Sequence, residues 1–214
     1  MNSKMTLSIF SLLLFFLSSN LVGLTQTEIN EVEKLQKQGI KYTSTGKFDE
    51  AIECFQKALK INPNAYGLYD DIGVTYGMKG DMNNAILNFK KSAEMVAYLD
   101  PGPIRNLAYA YAHIKDYDNA ILYFKKALSA SWNNLEFIDQ IARMYANKKD
   151  YKNAILYWEE FLKIKNVGII HMNIANTYRQ MKDEKNTMKH LKFSCELGFS
   201  DACKELKNYS IKQN

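Results

Sequence analysis

A twelve-residue pattern recurs four times along this chain, and little else in the sequence constrains its fold as strongly. It reads FDEAIECFQKAL from Phe48, MNNAILNFKKSA from Met82, YDNAILYFKKAL from Tyr117 and YKNAILYWEEFL from Tyr151. In every copy the apolar residues fall at helical spacing, so each copy predicts an amphipathic helix. One such helix cannot bury its apolar face alone. Repetition at a fixed period therefore predicts a stack in which neighbours cover one another.

A second ladder precedes each copy. Tyr42, Tyr76, Tyr111, Tyr145 and Tyr178 lie 34, 35, 34 and 33 residues apart, and three residues before them stand Gly39, Gly73, Ala108, Ala142 and Ala175. The second helices carry their own small residue at Ala51, Ala85, Ala120, Ala154 and Thr187. Four residues later comes a large one: Phe55, Phe89, Phe124, Trp158 and Leu191. Close helix crossings need this alternation, because a methyl group or a bare backbone leaves room for the neighbouring ring. The ladders divide the chain into helix pairs at about 32–65, 66–100, 101–134, 135–167 and 168–197. Short turns such as KGD at 79–81 join the helices, and Asp81, Asp116 and Asp150 sit where a carboxylate caps the next helix. The one longer break, AYLDPGP at 97–103, reads as a repeat boundary with one extra residue.

The period, the paired helices and the ladder resemble the tetratricopeptide repeat family. The first unit matches its pattern best, with Leu35, Gly39, Tyr42, Gly46, Phe48, Ala51, Phe55, Ala58 and Pro63. Later units lose the final proline, and the fifth has Glu184 where an aromatic is expected. The fold that follows is all-α: a right-handed superhelical solenoid of five antiparallel helix pairs, closed by a helix and tail at 198–214. In that tail Ala202, Leu206 and Tyr209 share one side. The local run SCELGFSDACKEL is similar to the cysteine-bridged repeats of the Sel1-like family, where such a pair ties two helices. That likeness implies a Cys195–Cys203 disulfide, with two small buried thiols as the alternative. A bridge closing a loop of about nine residues would stabilise the fold by roughly 2–3 kcal/mol. Cys54, beside Ile52 and Phe55, reads as a packed thiol.

At the amino terminus, a short basic start is followed by an apolar run over residues 5–17 and a small, polar passage. This is the layout of a signal peptide over residues 1–25, with a cut before Gln26. Extended through Leu24 it becomes an uncleaved anchor instead. The chain is thus expected to be exported, to the periplasm, the envelope or the medium. No membrane insertion beyond that segment is expected. The net charge of +5 is spread among acidic neighbours rather than gathered on one face, so nucleic acid is not an expected partner.

No catalytic or metal-binding constellation emerges. His113, His171 and His190 are far apart in the sequence. There is no nucleophile elbow, phosphate loop or dinucleotide turn, and no cofactor is implied. The acids Asp70–Asp71 and Glu159–Glu160 read as solvated or groove-lining groups, so the chain is expected not to be an enzyme. The resemblance instead implies a protein or peptide partner, held on the concave surface lined by the first helices. In this sequence that surface would carry Glu33, Gln36, Lys37 and Ile40, then Asp70, Asp71 and Val74, then Arg105, Asn106 and Tyr109. Asp139, Gln140 and Arg143 follow, then Met172, Asn173, Asn176 and Arg179. Amides can bond an extended backbone from either side, and arginine forks hold carboxylates. Chaperone-binding members of the family clamp a carboxylate, but the matching slots here hold Gln36, Ile40, Asp71, Gly102 and Asn106, and Asp71 would repel one. Two readings follow: an interaction scaffold, or a binding module for a smaller ligand such as a processed peptide or a glycan.

Overall fold

The computed structural model describes residues 23–96, 100–131 and 134–212, and every regular element among them is helical. The first twenty-two residues, where the apolar leader is read, lie outside the described residues. Two compact units are present, divided after Ala65.

The first unit holds α1 (Gln26–Ser44) and α2 (Phe48–Ile61). Thr25 caps α1 through a capping box with Glu28, each satisfying an amide the helix leaves unpaired. The two helices cross at Gly39, whose missing side chain is occupied by Phe55. A Cβ built on Gly39 would lie 2.5 Å from the Phe55 ring.

The second unit contains four further helix pairs and a closing helix. These are α3 (Tyr66–Lys79) with α4 (Met82–Met95), α5 (Pro101–His113) with α6 (Tyr117–Ala130), α7 (Leu135–Asn147) with α8 (Tyr151–Ile164), and α9 (Gly168–Gln180) with α10 (Glu184–Glu196). The last is α11 (Ser200–Lys212). The small and large residues of both ladders are buried here, and the ladder tyrosines are half-buried. Ala85, Ala120 and Ala154 have no exposed surface, and Phe89, Phe124, Trp158 and Leu191 fill the space beside Gly73, Ala108, Ala142 and Ala175. The fifth pair follows the same geometry, with Thr187 and Leu191 both buried. Beyond it α11 lays Ala202 against Ala175 and Leu191, which covers the apolar end of the stack. Cys195 of α10 and Cys203 of α11 are joined as a disulfide, their Cα atoms 4.8 Å apart. The third residue expected on the covered side, Tyr209, lies outside the described side chains.

One turn design repeats inside the pairs. The backbone carbonyl of each ladder tyrosine accepts from the amide five residues on, as in Asp81 to Tyr76 at 2.9 Å and Asp150 to Tyr145 at 2.9 Å. The intervening residue is left-handed: Gly46, Gly80, Lys115, Lys149 and Lys182 have φ between 61° and 89°. The aspartate that follows then caps the next helix. Asp81 accepts from the Asn84 amide at 3.1 Å and from its side chain at 2.7 Å, and Asp116, Asp150 and Asp183 do the same with Asn119, Asn153 and Asn186. Lys47 in the first unit has no such bond. Rigid caps of this kind orient each first helix relative to its second, and so aim the residues of the first-helix face.

Candidate functional site: the first-helix face

Within the second unit, the residues read from the sequence as groove-lining are joined from one helix to the next. Asp70 on α3 accepts from Asn106 Nδ2 on α5 at 2.7 Å. Tyr109 on α5 donates to Glu136 at the start of α7 at 2.9 Å. On α7, Arg143 Nε donates to Asp139 at 2.7 Å, and the other Asp139 oxygen accepts from Trp158 Nε1 at 2.8 Å. Arg179 on α9 bonds Asn176 on its own helix and Glu205 on α11. Glu136 and Glu205 were not singled out in the sequence, and Trp158 was read there only as a core residue. Their partners lie 19 to 27 residues away, beyond the reach of any helical periodicity.

Asp70, read as a solvated or groove-lining acid, is half-buried. Burial pushes its carboxyl up to about 6, against the opposing hydrogen bond from Asn106; Asp71 and Asp100 add to the rise, and Arg105 counters it. A carboxylate taken from water loses hydration that its neighbours must replace. Here the replacement is incomplete. Oδ2 is bonded to Asn106, but Oδ1 is buried with no hydrogen-bond partner. One other side-chain atom among the described residues shares that condition, Asn173 Nδ2 on α9. Tyr109 is half-exposed, and burial together with the Glu136 carboxylate pushes its hydroxyl up to about 12, so it stays a donor.

Two cavities open on this face. The larger, about 490 Å³, lies between α7 and α9, with Arg143, Lys149, Tyr151, Trp158, Asn173 and Gln180 in its walls. The smaller, about 240 Å³, has Val74, Phe89, Asn106, Tyr109 and His113 around it. Among the described residues there is no group of three or more His, Cys, Asp or Glu side chains suited to a metal ion.

The histidines require a correction. His171 and His190, nineteen residues apart and read as distant, face each other across α9 and α10 with their Nδ1 atoms 3.0 Å apart. His171 Nε2 lies 2.9 Å from Asn166 Oδ1. Both rings are buried, and burial lowers both pKa values, that of His190 to about 4. One imidazole donates and the other accepts, so the pair is a neutral packing contact in the core of the last repeat. The helices of a pair run antiparallel, which brings His171 in the first half of α9 against His190 at the middle of α10. The sequence signal was available in that pairing, though spacing alone conceals it.

With the geometry in hand, comparison with known proteins places the chain. Family models described as "Tetratricopeptide repeat" match residues 35–65 and 106–133. The chain carries tetratricopeptide repeats. Among solved structures, it superposes on the tetratricopeptide fold of MamA with a TM-score of 0.68 at 23% identity, covering 78% of this chain and 91% of that one. It also superposes on YrrB, a TPR protein with an unusual peptide-binding site, with a TM-score of 0.63 at 16% identity over 77% and 84% of the two chains. At these identities the likeness is one of fold. Two curated relatives are similar in sequence. Hsp70-Hsp90 organizing protein 3 of Arabidopsis thaliana is 25% identical over 52% of this chain and 20% of its own length. Photosystem I assembly protein Ycf3 of Prochlorococcus marinus subsp. pastoris is 32% identical over 34% of this chain and 46% of its own. The chain thus spans about a fifth and just under half of these relatives. Among the described residues, no helix is long and apolar enough to cross a membrane.

Proposed function

We propose that this protein is an exported, non-enzymatic interaction scaffold whose first-helix face holds an extended segment of a partner protein. One observation carries the reading. From α3 to α9 the first helices present amides, carboxylates and guanidinium groups in succession, while Phe89, Phe124 and Trp158 of the second helices are buried in the core. A face so built offers hydrogen bonds at each repeat to a chain laid across it. Supporting this, the relatives bear names that speak of organizing and assembly, and YrrB is described as peptide-binding. The chaperone-specific carboxylate clamp is not part of the proposal, since Asp71 and Gly102 occupy two of its slots. The apolar leader over residues 5–17 motivates the exported compartment.

Crosslinking of the full-length chain in its native host, followed by mass spectrometry, tests the proposal against an Arg105→Glu/Arg143→Glu variant. A defined partner captured by the parent and lost by the folded variant is expected. Capture that is identical for both, or absent from both, would overturn the assignment to this face. The cavity of about 490 Å³ with Tyr151 and Trp158 in its wall favours one second reading, a smaller ligand such as a processed peptide or a glycan. Thermal stabilisation by such a ligand without any protein partner would decide for it.

A further inference from the structure

The two unpaired atoms on the first-helix face differ in chemical sign. Asp70 Oδ1 is an acceptor, negatively charged when ionised, at the amino-terminal end of the second unit, and Asn173 Nδ2 is a donor three repeats later. Buried polar atoms in folded proteins are nearly always satisfied, and an exception calls for a reason. Among the described residues, no donor reaches Asp70 Oδ1 and no acceptor reaches Asn173 Nδ2.

The surroundings continue the same division. Around Asp70 stand Asp71 and Asp100, with Arg105 as the countercharge. The Asn106 amide that holds Asp70 also forms a wall of the smaller cavity, beside the exposed apolar surfaces of Val74 and Tyr109. That arrangement suits a side chain with an aliphatic stem and a cationic head: the stem covers the apolar wall, and the head meets the negative field of Asp70, Asp71 and Asp100. At the other end, Asn173 shares its cavity with Arg143, Lys149 and Gln180, all of which carry hydrogen-bond donors. That wall suits a carboxylate.

We propose that the first-helix face is polarised, taking a segment that brings a lysine or arginine to Asp70 and an aspartate, glutamate or terminal carboxylate to the Asn173 cavity. This rests on the peptide-binding reading above and adds the chemistry of the bound segment. The polarity would let the face discriminate by repulsion: a segment laid in reverse would set its acid against Asp70 and its base against Arg143 and Lys149.

The test uses a phage-displayed library of random peptides of about ten residues, roughly 33 Å when extended. The library is panned against the wild type, Asp70→Asn and Asn173→Asp. Each substitution keeps the side-chain shape, and melting curves confirm folding. Wild-type selections should be enriched in basic residues towards one end and acidic residues towards the other. Asp70→Asn should lose the basic enrichment alone and weaken the best wild-type peptide at least about tenfold, close to the cost of one charge-assisted hydrogen bond. Asn173→Asp should lose the acidic enrichment alone. Selected peptides without this polarity, or polarity that survives both substitutions, would overturn the proposal and leave the peptide-binding reading standing. No enrichment of any peptide by the wild type would overturn both, and that result does not depend on the variants.

Discussion

Two glycines on one helix should respond to the same substitution with opposite signs. In a helix interior, glycine to alanine ordinarily stabilises by about 1 kcal/mol, because the unfolded chain loses freedom that the folded one never had. Gly77 on α3 meets this condition. A Cβ there would be 4.0 Å from Ala85 Cβ, an ordinary contact. Gly73, one turn earlier, does not. A Cβ there would stand 2.6 Å from both Cδ1 and Cε1 of Phe89 and 3.1 Å from its Cγ. Van der Waals contact begins nearer 3.5 Å, so the ring must retreat by roughly 1 Å. It has little room to do so: Phe89 is 6% exposed and packed among Ala85, Ala93, Ile104 and Leu107. Overpacking of this kind costs about 1–3 kcal/mol. Set against the helix gain, Gly73→Ala should lose up to about 2 kcal/mol net, while Gly77→Ala gains about 0.5–1. Urea unfolding followed by circular dichroism measures both, compared at equal denaturant slope. Phe89→Leu in the Gly73→Ala background should recover part of the loss, which identifies the ring as its source. If Gly73→Ala stabilises as much as Gly77→Ala, the close crossing at the centre of this repeat is misplaced.

Acid should weaken the last repeat through its histidine pair. Unfolded imidazoles take up protons near pH 6.5, but burial holds folded His190 neutral down to about 4. The unfolded state therefore binds more protons in that window, and stability falls as pH drops from about 6.5 towards 4, by about 1–3 kcal/mol after allowance for partial solvation. Asp70, with its raised pKa, pulls the other way over part of the same range. The readout is accordingly the difference between the parent and His190→Phe at each pH, which should shrink on acidification; parallel profiles would refute it. Opening the bridge between Cys195 and Cys203 with Cys203→Ser should lower stability by about 2–3 kcal/mol in the chain-entropy model. Local hydrogen exchange should rise in α11 first, and unchanged protection there would show that the bridge does not secure the closing helix.

Most of the fold could be read directly from the sequence. The ladder of Gly39, Gly73, Ala108, Ala142 and Ala175 against Phe55, Phe89, Phe124, Trp158 and Leu191 is a local code, repeated at about 34 residues, and local codes survive without coordinates. The same holds for the caps at Asp81, Asp116 and Asp150, which involve residues three apart. The residues of the first-helix face were also legible, since a helix displays every third or fourth side chain on one side.

What the sequence could not determine is how those residues pair. Asp70 meets Asn106 across 36 positions, Tyr109 meets Glu136 across 27, and Arg179 meets Glu205 across 26. Each distance depends on the angle at which one helix pair leans on the next, and that angle comes from packing among all the buried side chains, not from any single spacing. For the same reason only the tertiary structure revealed that Asp70 is half-buried with one sealed oxygen unmet, and that His171 lies against His190. A side chain's neighbours along the chain determine which face it occupies. Its burial, its charge state and its missing partners are decided by the helix that packs across from it.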